Sequence, residues 1–176
     1  MKVLITGGAG FIGSHLADAF VKRGDQVTIL DNLSTGNISN LGGAFVEIVE
    51  GDIRDASLVD RLVSKSNLVM HMAATLGVKN IMGNPLEAIS TNLGGSEVVL
   101  RTVAKHGKRT FIASSSEVYG KNPNQPLSED SDRVIGSPLL VRWAYSEAKA
   151  IDESLIQMFH QMNGLPFVTG RFFNTV

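Results

Sequence analysis

The segment Thr6-Gly7-Gly8-Ala9-Gly10-Phe11-Ile12-Gly13 constrains the fold of this 176-residue chain more tightly than any other. It follows the apolar, β-rich run Val3 to Thr6 and opens a stretch from Phe11 to Lys22. There Phe11, Ile12, Leu16, Ala19 and Phe20 fall at helical spacing. A strand that passes through glycines straight into a helix needs a tight turn and a close approach of helix to sheet. Gly24 then stops the helix, and Gln26 to Leu30 forms a second apolar strand that ends at Asp31. That completes a βαβ unit within about thirty residues.

The alternation continues. Ala44 to Val49 reads as a strand, Asp55 to Ser64 as a helix, Asn67 to Met72 as a strand, and Pro85 to Lys105 as a long helix with proline in its first turn. Thr110 to Ser114 is the next strand, Ala144 to Met162 the last helix and Pro166 to Phe172 the final strand. Gly120 to Trp143, rich in Pro, Asn, Ser and Asp, breaks the rhythm and reads as a long functional loop beyond a strand end. Strict alternation predicts a single α/β domain, a Rossmann-like doubly wound parallel sheet with helices on both faces. Its ligands bind beyond the carboxyl ends of the strands.

Charged residues make up only 19% and the net charge is −1, so no broad electrostatic attraction to nucleic acid or to an anionic membrane is expected. No apolar run approaches the roughly 20 residues of a membrane span. The absence of cysteine excludes disulfides, a thiolate nucleophile and cysteine-ligated zinc. His15, His71, His106 and His160 lie on separate elements, and no carboxylates have metal-ligand spacing, so no metal is expected. A soluble, cytoplasmic protein is the expectation.

The glycine turn fits two registers, Gly8-Gly10-Gly13 and Gly7-Gly10-Gly13, and the chemistry is the same in both. Glycines let the backbone approach a pyrophosphate, while the helix N-terminus offers free N–H groups and a partial positive charge. Asp31, at the end of the second strand, stands where an acid binds ribose hydroxyls and repels a 2′-phosphate, which favours NAD over NADP. Ser14 and His15 follow Gly13 where an NTPase phosphate loop needs lysine, so ATP hydrolysis is disfavoured. Tyr145 and Lys149 stand one helical turn apart on one face. An ammonium beside a phenol stabilises phenolate, so Tyr145 is a candidate base for a hydroxyl proton when the attached carbon loses hydride.

Six words in order carry a family resemblance: TGGAGFIG at 6–13, DNLSTGN at 31–37, GDIRD at 51–55, HMAA at 71–74, SSSEVYG at 114–120 and YSEAK at 145–149. Together they resemble an extended short-chain dehydrogenase/reductase of the NAD-dependent sugar-nucleotide epimerase/dehydratase family, from Lys2 to the last residue. The resemblance implies a tightly held NAD, a nucleotide-sugar substrate and a homodimer. It places Gly7, Gly10, Phe11, Ile12 and Gly13 at the pyrophosphate, and Asp31 and Asn32 at the adenosine ribose, with Ser34, Thr35 and Gly36 beside the cofactor. Asp52 and Ile53 fall at the adenine. Ala73 and Ala74 flank the nicotinamide side, and Asn92, Ser114 and Phe173 are further cofactor contacts. Ser115 aligns with the active-site Ser or Thr beside Tyr145, Lys149 also holds the nicotinamide ribose, and Asn174 falls at the substrate diphosphate.

Within the family, dehydratases carry Asp-Glu after the active-site hydroxyl, and here Ser116 replaces that acid, which disfavours 4,6-dehydration. Ser116-Glu117 resembles UDP-glucuronate decarboxylases and a related group called UDP-glucose 4-epimerases. Glu117 is either an acid/base residue or a polar loop anchor. Gly77-Val78-Lys79 resembles the epimerase branch, with Lys79 a candidate substrate contact. These words lead to the expectation of a 4-epimerase acting through a 4-keto sugar, with UDP-glucuronate decarboxylase as the alternative. A non-enzyme alternative is a fragment that binds dinucleotide without turnover, because the family continues beyond Val176 into a substrate-binding portion. Dimerisation is expected through Pro85 to Lys105 and Tyr145 to Met162. Ile151, Leu155, Met158, Phe159 and Met162 there serve either as a dimer surface or as core.

Overall fold

A computed structural model of the chain describes residues 1–43, 45–75 and 83–175. Among these residues lie six strands: β1 (Lys2–Thr6), β2 (Gln26–Asp31), β3 (Glu47–Glu50), β4 (Leu68–His71), β5 (Arg109–Ser115) and β6 (Phe167–Phe172). They form one sheet in the order β3-β2-β1-β4-β5-β6, every neighbouring pair parallel. The helices are α1 (Phe11–Lys22), α2 (Ala56–Lys65), α3 (Pro85–Ile89), α4 (Ser96–Lys105) and α5 (Ala144–Asn163).

The period-two alternation of each strand sorts its side chains between two cores. Leu4, Leu30, Val69 and Ile112 face one way, against Val59 and Val63 of α2, Leu100 and Val103 of α4 and Ile156 of α5. Val3, Ile5, Val27, Ile29 and Met70 face the other way, against Leu16, Ala17 and Phe20 of α1. Each such side chain, fully buried, contributes about 1.5–3 kcal/mol. The chain winds outward from β1 through β2 to β3, then returns to lay β4 on the other side of β1. At that reversal the connections leave the strand ends in opposite directions, which opens a crevice over the carboxyl ends of β1 and β4.

Three elements depart from the sequence expectation. β3 is confined to Glu47–Glu50 at the sheet edge, where its side chains are mostly exposed, and Ala44 lies outside the described residues. The helix expected from Pro85 to Lys105 is interrupted by a π-helical stretch, Ser90–Gly95, between α3 and α4. Gly95 lies so close to the Ile53 side chain that a Cβ there has no room. The 120–143 loop is irregular but fastened: Lys121 N donates to the Val134 carbonyl at 2.7 Å. Trp143, in a 3-10 turn at Val141–Trp143, is buried with the Arg142 guanidinium 4.3 Å from its ring centre.

The apolar residues of α5 divide. Leu155 and Phe159 pack against the core, whereas Ile151, Met158 and Met162 are exposed. Among the described residues no helix is long and apolar enough to cross a membrane, and no three His, Cys, Asp or Glu side chains cluster as metal ligands.

Candidate active site

A cleft of about 480 Å³ lies over the carboxyl ends of β1, β2, β4, β5 and β6. Its first wall is the glycine turn and the start of α1. α2 is capped by Asp55, whose Oδ1 accepts from Ser57 N and Leu58 N, both at 3.0 Å. α1 begins instead on Gly10 with no side-chain cap, so its first-turn N–H groups are left for a ligand. Gly7, Gly10, Phe11, Ile12 and Gly13 all line the cleft. Gly7 has φ +69° and lies against Ala73, where a Cβ would come within 2.7 Å of that residue's backbone. A Cβ on Gly13 would overlap the Gly7 carbonyl oxygen.

Asp31 closes the next wall. Its Oδ2 accepts from Ala9 N at 2.9 Å and its Oδ1 from Leu33 N at 2.8 Å, so the carboxylate ties the glycine turn to the loop after β2. Asn32, Ser34, Thr35 and Gly36 follow it along the cleft. Ile53 also lines the cleft, next to Gly51. Asp52 does not. Its carboxylate is taken by Arg54, whose guanidinium is 2.6 Å away and also reaches Glu87 at 2.7 Å. The Arg54 hydrogen bonds hold the Asp52 carboxyl below its usual range despite partial burial.

Ala73 and Ala74 line the cleft past β4. Asn92 stands behind them. Its side-chain oxygen accepts from Thr75 N at 2.7 Å and its amide donates to the Thr75 carbonyl at 3.1 Å, so it holds the backbone of this wall. Lys79, in the next segment, lies outside the described residues.

The opposite wall carries Ser114, Ser115, Tyr145, Lys149, Phe173 and Asn174. Ser114 turns its hydroxyl to Glu153, whose carboxylate also receives Arg171 at 2.7 Å. Burial pushes the Glu153 carboxyl up, but Arg171 and Ser114 together bring it below its ordinary value. Ser115 sits at the end of β5, and its Oγ accepts from Glu117 N at 3.2 Å. Burial pushes the Tyr145 phenol up to about 12, opposed by a hydrogen bond with Ser115 and reinforced by the negative charges of Asp152 and Glu117. Ser116 and Glu117 stand outside the cleft lining. Glu117 is exposed and lies 3.6 Å from Arg142, while Ser146 Oγ grips its carbonyl at 2.7 Å.

Sequence reasoning left His71 without a role. It is fully buried between Thr6 and Ser96, and burial holds its imidazole neutral, its pKa lowered to about 3. Between 6.5 and about 3 the unfolded chain binds a proton that the native His71 refuses, so stability falls as pH falls through that window. The slope is up to about 1.4 kcal/mol per pH unit. Denaturant unfolding across the window is expected to show His71→Gln losing stability less steeply than the parent; equal slopes count against a neutral buried imidazole.

A family model described as GDP-mannose 4,6 dehydratase matches residues 4–176. The UDP-N-acetyl-alpha-D-glucosaminuronate decarboxylase of Bacillus cytotoxicus is 43% identical over 98% of this chain and 54% of that protein. Among solved structures, a UDP-N-acetylglucosamine 4-epimerase from Methanobrevibacter ruminantium, in complex with UDP-N-acetylmuramic acid, superposes with a TM-score of 0.88 at 34% identity. It covers 98% of this chain and 55% of that one. The UDP-glucose 4-epimerase of Thermus thermophilus, in complex with NAD, gives 0.83 at 32% identity, over 97% of this chain and 54% of that one. The chain therefore spans about half the length of these relatives.

Proposed function

This chain belongs to the extended short-chain dehydrogenase/reductase family of NAD-dependent sugar-nucleotide epimerases, decarboxylases and dehydratases, and from that premise we propose that it is the NAD-binding, sugar-oxidising half of a UDP-hexuronate decarboxylase. What carries this proposal is the pairing across one cleft of an uncapped helix N-terminus with Tyr145, Ser115 and Lys149. The decarboxylase at 43% identity weights the outcome toward loss of carbon dioxide.

The residues fit the dinucleotide. The Gly7, Gly10 and Gly13 cradle leaves backbone open to a pyrophosphate, and Asp31 offers a carboxylate to ribose hydroxyls while repelling a 2′-phosphate. Bound there, NAD supplies a reversible acceptor for the hydride at the sugar's C4. Tyr145 takes the O4 proton as C4 becomes a ketone, with Ser115 hydrogen-bonding the same oxygen and Lys149 favouring phenolate. The C6 carboxylate of a hexuronate is then β to a ketone. It leaves as carbon dioxide, and its bonding pair moves onto O4, where Ser115 and Tyr145 stabilise the enolate. Glu117, exposed beside Arg142 outside the cleft lining and with its backbone fixed by Ser115 and Ser146, anchors the loop, and C5 regains its proton from solvent. Tyr145 finally returns its proton to O4 when C4 is reduced.

A second reading, 4-epimerisation of a UDP-hexose, is supported by the epimerase structures that the chain overlays. Incubating the full-length protein with UDP-glucuronate, UDP-N-acetylglucosaminuronate and UDP-glucose separates the two. Decarboxylation is expected to give a pentose nucleotide with one carbon dioxide released, whereas a C4 epimer that keeps every carbon overturns it in favour of the second reading. A cytoplasmic homodimer through the exposed Ile151, Met158 and Met162 of α5 is part of the same proposal.

A further inference from the structure

Behind the Tyr145 wall a line of buried polar side chains crosses from α5 to β1. Lys149 Nζ donates to Asp152 Oδ2 at 3.2 Å, and Ser96 Oγ donates to the same oxygen at 3.1 Å. Ser96 Oγ lies 3.0 Å from His71 Nε2, His71 Nδ1 lies 2.8 Å from Thr6 Oγ1, and Ala73 N donates to Thr6 Oγ1 at 3.3 Å. Thr6, His71, Ser96 and Asp152 are completely buried, and Lys149 is 2% exposed.

The donor directions along this line follow from its two ends. A backbone N–H only donates, so Thr6 Oγ1 accepts from Ala73 and passes its own hydrogen to His71 Nδ1. Ser96 commits its hydrogen to Asp152, so it accepts from His71 Nε2–H. The neutral imidazole therefore has one tautomer that satisfies every bond, and the sequence of donors terminates on the Asp152 carboxyl group. Burial raises the Asp152 carboxyl above its ordinary value, and the Lys149 charge and the Lys149 and Ser96 hydrogen bonds oppose that rise without cancelling it. Two long-range constraints meet there, from β4 through His71 and from α4 through Ser96. Among the described residues, the sole cation this carboxylate receives is Lys149, which reaches the cleft from below.

We propose that Asp152 is a positioning residue whose carboxylate, oriented by Ser96 and His71, keeps the buried Lys149 an ammonium beside Tyr145. It rests on the reading of Tyr145 as the proton acceptor. A lysine buried this deeply without a counter-charge favours the neutral amine, and a neutral amine no longer stabilises phenolate. The remaining titratable groups around the pair are committed elsewhere. Glu153 of α5 is held by Arg171 of β6, Glu117 beyond β5 lies exposed beside Arg142, and His71 of β4 is neutral.

Asp152 acts on Tyr145 in two opposite ways, and the sign separates them. As a bare negative charge it disfavours phenolate, so removing it would ease deprotonation. As the group that keeps Lys149 charged it favours phenolate, so removing it makes deprotonation harder.

The test is Asp152→Asn in the full-length protein, with Ser96→Ala as the milder variant that leaves the carboxylate in place with one donor fewer. Two readouts are taken: the Lys149 ε-methylene resonance against pH without substrate, its assignment fixed by Lys149→Arg, and the pH profile of sugar turnover. In Asp152→Asn the Lys149 resonance is expected to titrate about 1–3 units lower than in the parent, and the acid limb of kcat to move to higher pH, KM changing little. Ser96→Ala is expected to shift both the same way by less. An unmoved Lys149 resonance, or an acid limb that moves to lower pH, overturns the proposal. If the resonance shifts but the parent turns over no sugar nucleotide, the counter-charge stands and the proposed reaction falls.

Discussion

Tyr145→Phe is expected to lower turnover of the sugar nucleotide by about 10³-fold while NAD affinity stays within about twofold of the parent. The substitution removes one oxygen and keeps the ring that packs on the cleft wall. Among the described residues no neighbour replaces that oxygen as a proton acceptor. Ser115 has a hydroxyl of far higher pKa, Lys149 is a donor held on Asp152, and Glu117 stands outside the cleft lining. Burial, reinforced by the Asp152 and Glu117 charges and opposed by the Ser115 hydrogen bond, sets the Tyr145 phenol near 12, so the parent depends on positive charge beside it to act near neutral pH. The loss is therefore expected in kcat, with KM little changed, because the phenol acts on the proton in flight more than on the resting sugar. Steady-state kinetics with parallel NAD titration decides it; kcat within tenfold of the parent removes Tyr145 from the mechanism.

The second large effect belongs to the glycine turn, where two substitutions separate folding from binding. On Gly13 a side chain overlaps the Gly7 carbonyl oxygen and comes within 2.8 Å of Gly8 Cα, so Gly13→Val forces β1 and α1 apart. Overpacking of that kind costs about 1–3 kcal/mol, and the thermal midpoint is expected to fall along with NAD binding. Gly10 is different: a Cβ there meets only the Gly7 carbonyl oxygen, at 3.3 Å. Gly10→Ala is expected to melt close to the parent and yet bind NAD about tenfold more weakly, a difference of about 1.4 kcal/mol, because its methyl stands where a pyrophosphate approaches backbone. Thermal melting and calorimetric titration of both variants check this, and undiminished affinity in Gly10→Ala places the pyrophosphate elsewhere.

Much of this site was legible in the sequence because its parts are local. A glycine turn between strand and helix, an acid at the end of the next strand and a Tyr-Lys pair at i, i+4 are each read from neighbouring residues. Alternation announced a doubly wound parallel sheet, whereas the strand order, with its reversal at β1, came from the structure. What escaped is what topology assembles. Thr6, His71, Ser96 and Asp152 come from four elements, and nothing local marks them as one line. The available signal was Asp152 itself, an acid on the α5 face that also presents Ala148 and Ile156 to the interior. The π-helical stretch was hidden because one wide turn barely disturbs the apolar spacing of a long helix. That Arg54 holds the Asp52 carboxylate, two residues away, was likewise not read from the sequence.

Asp31 joins two tasks that are usually discussed apart. The carboxylate proposed to bind the ribose also anchors Ala9 and Leu33, and Gly36 lies so close that a Cβ would meet both its oxygens at about 3 Å. The cofactor preference proposed for Asp31 is therefore welded to the shape of the turn. A descendant that drifted toward NADP, or an engineer seeking one, could not simply discard the acid. It would first have to supply another acceptor for two backbone N–H groups, and that requirement makes the change a two-step path through a weakened intermediate.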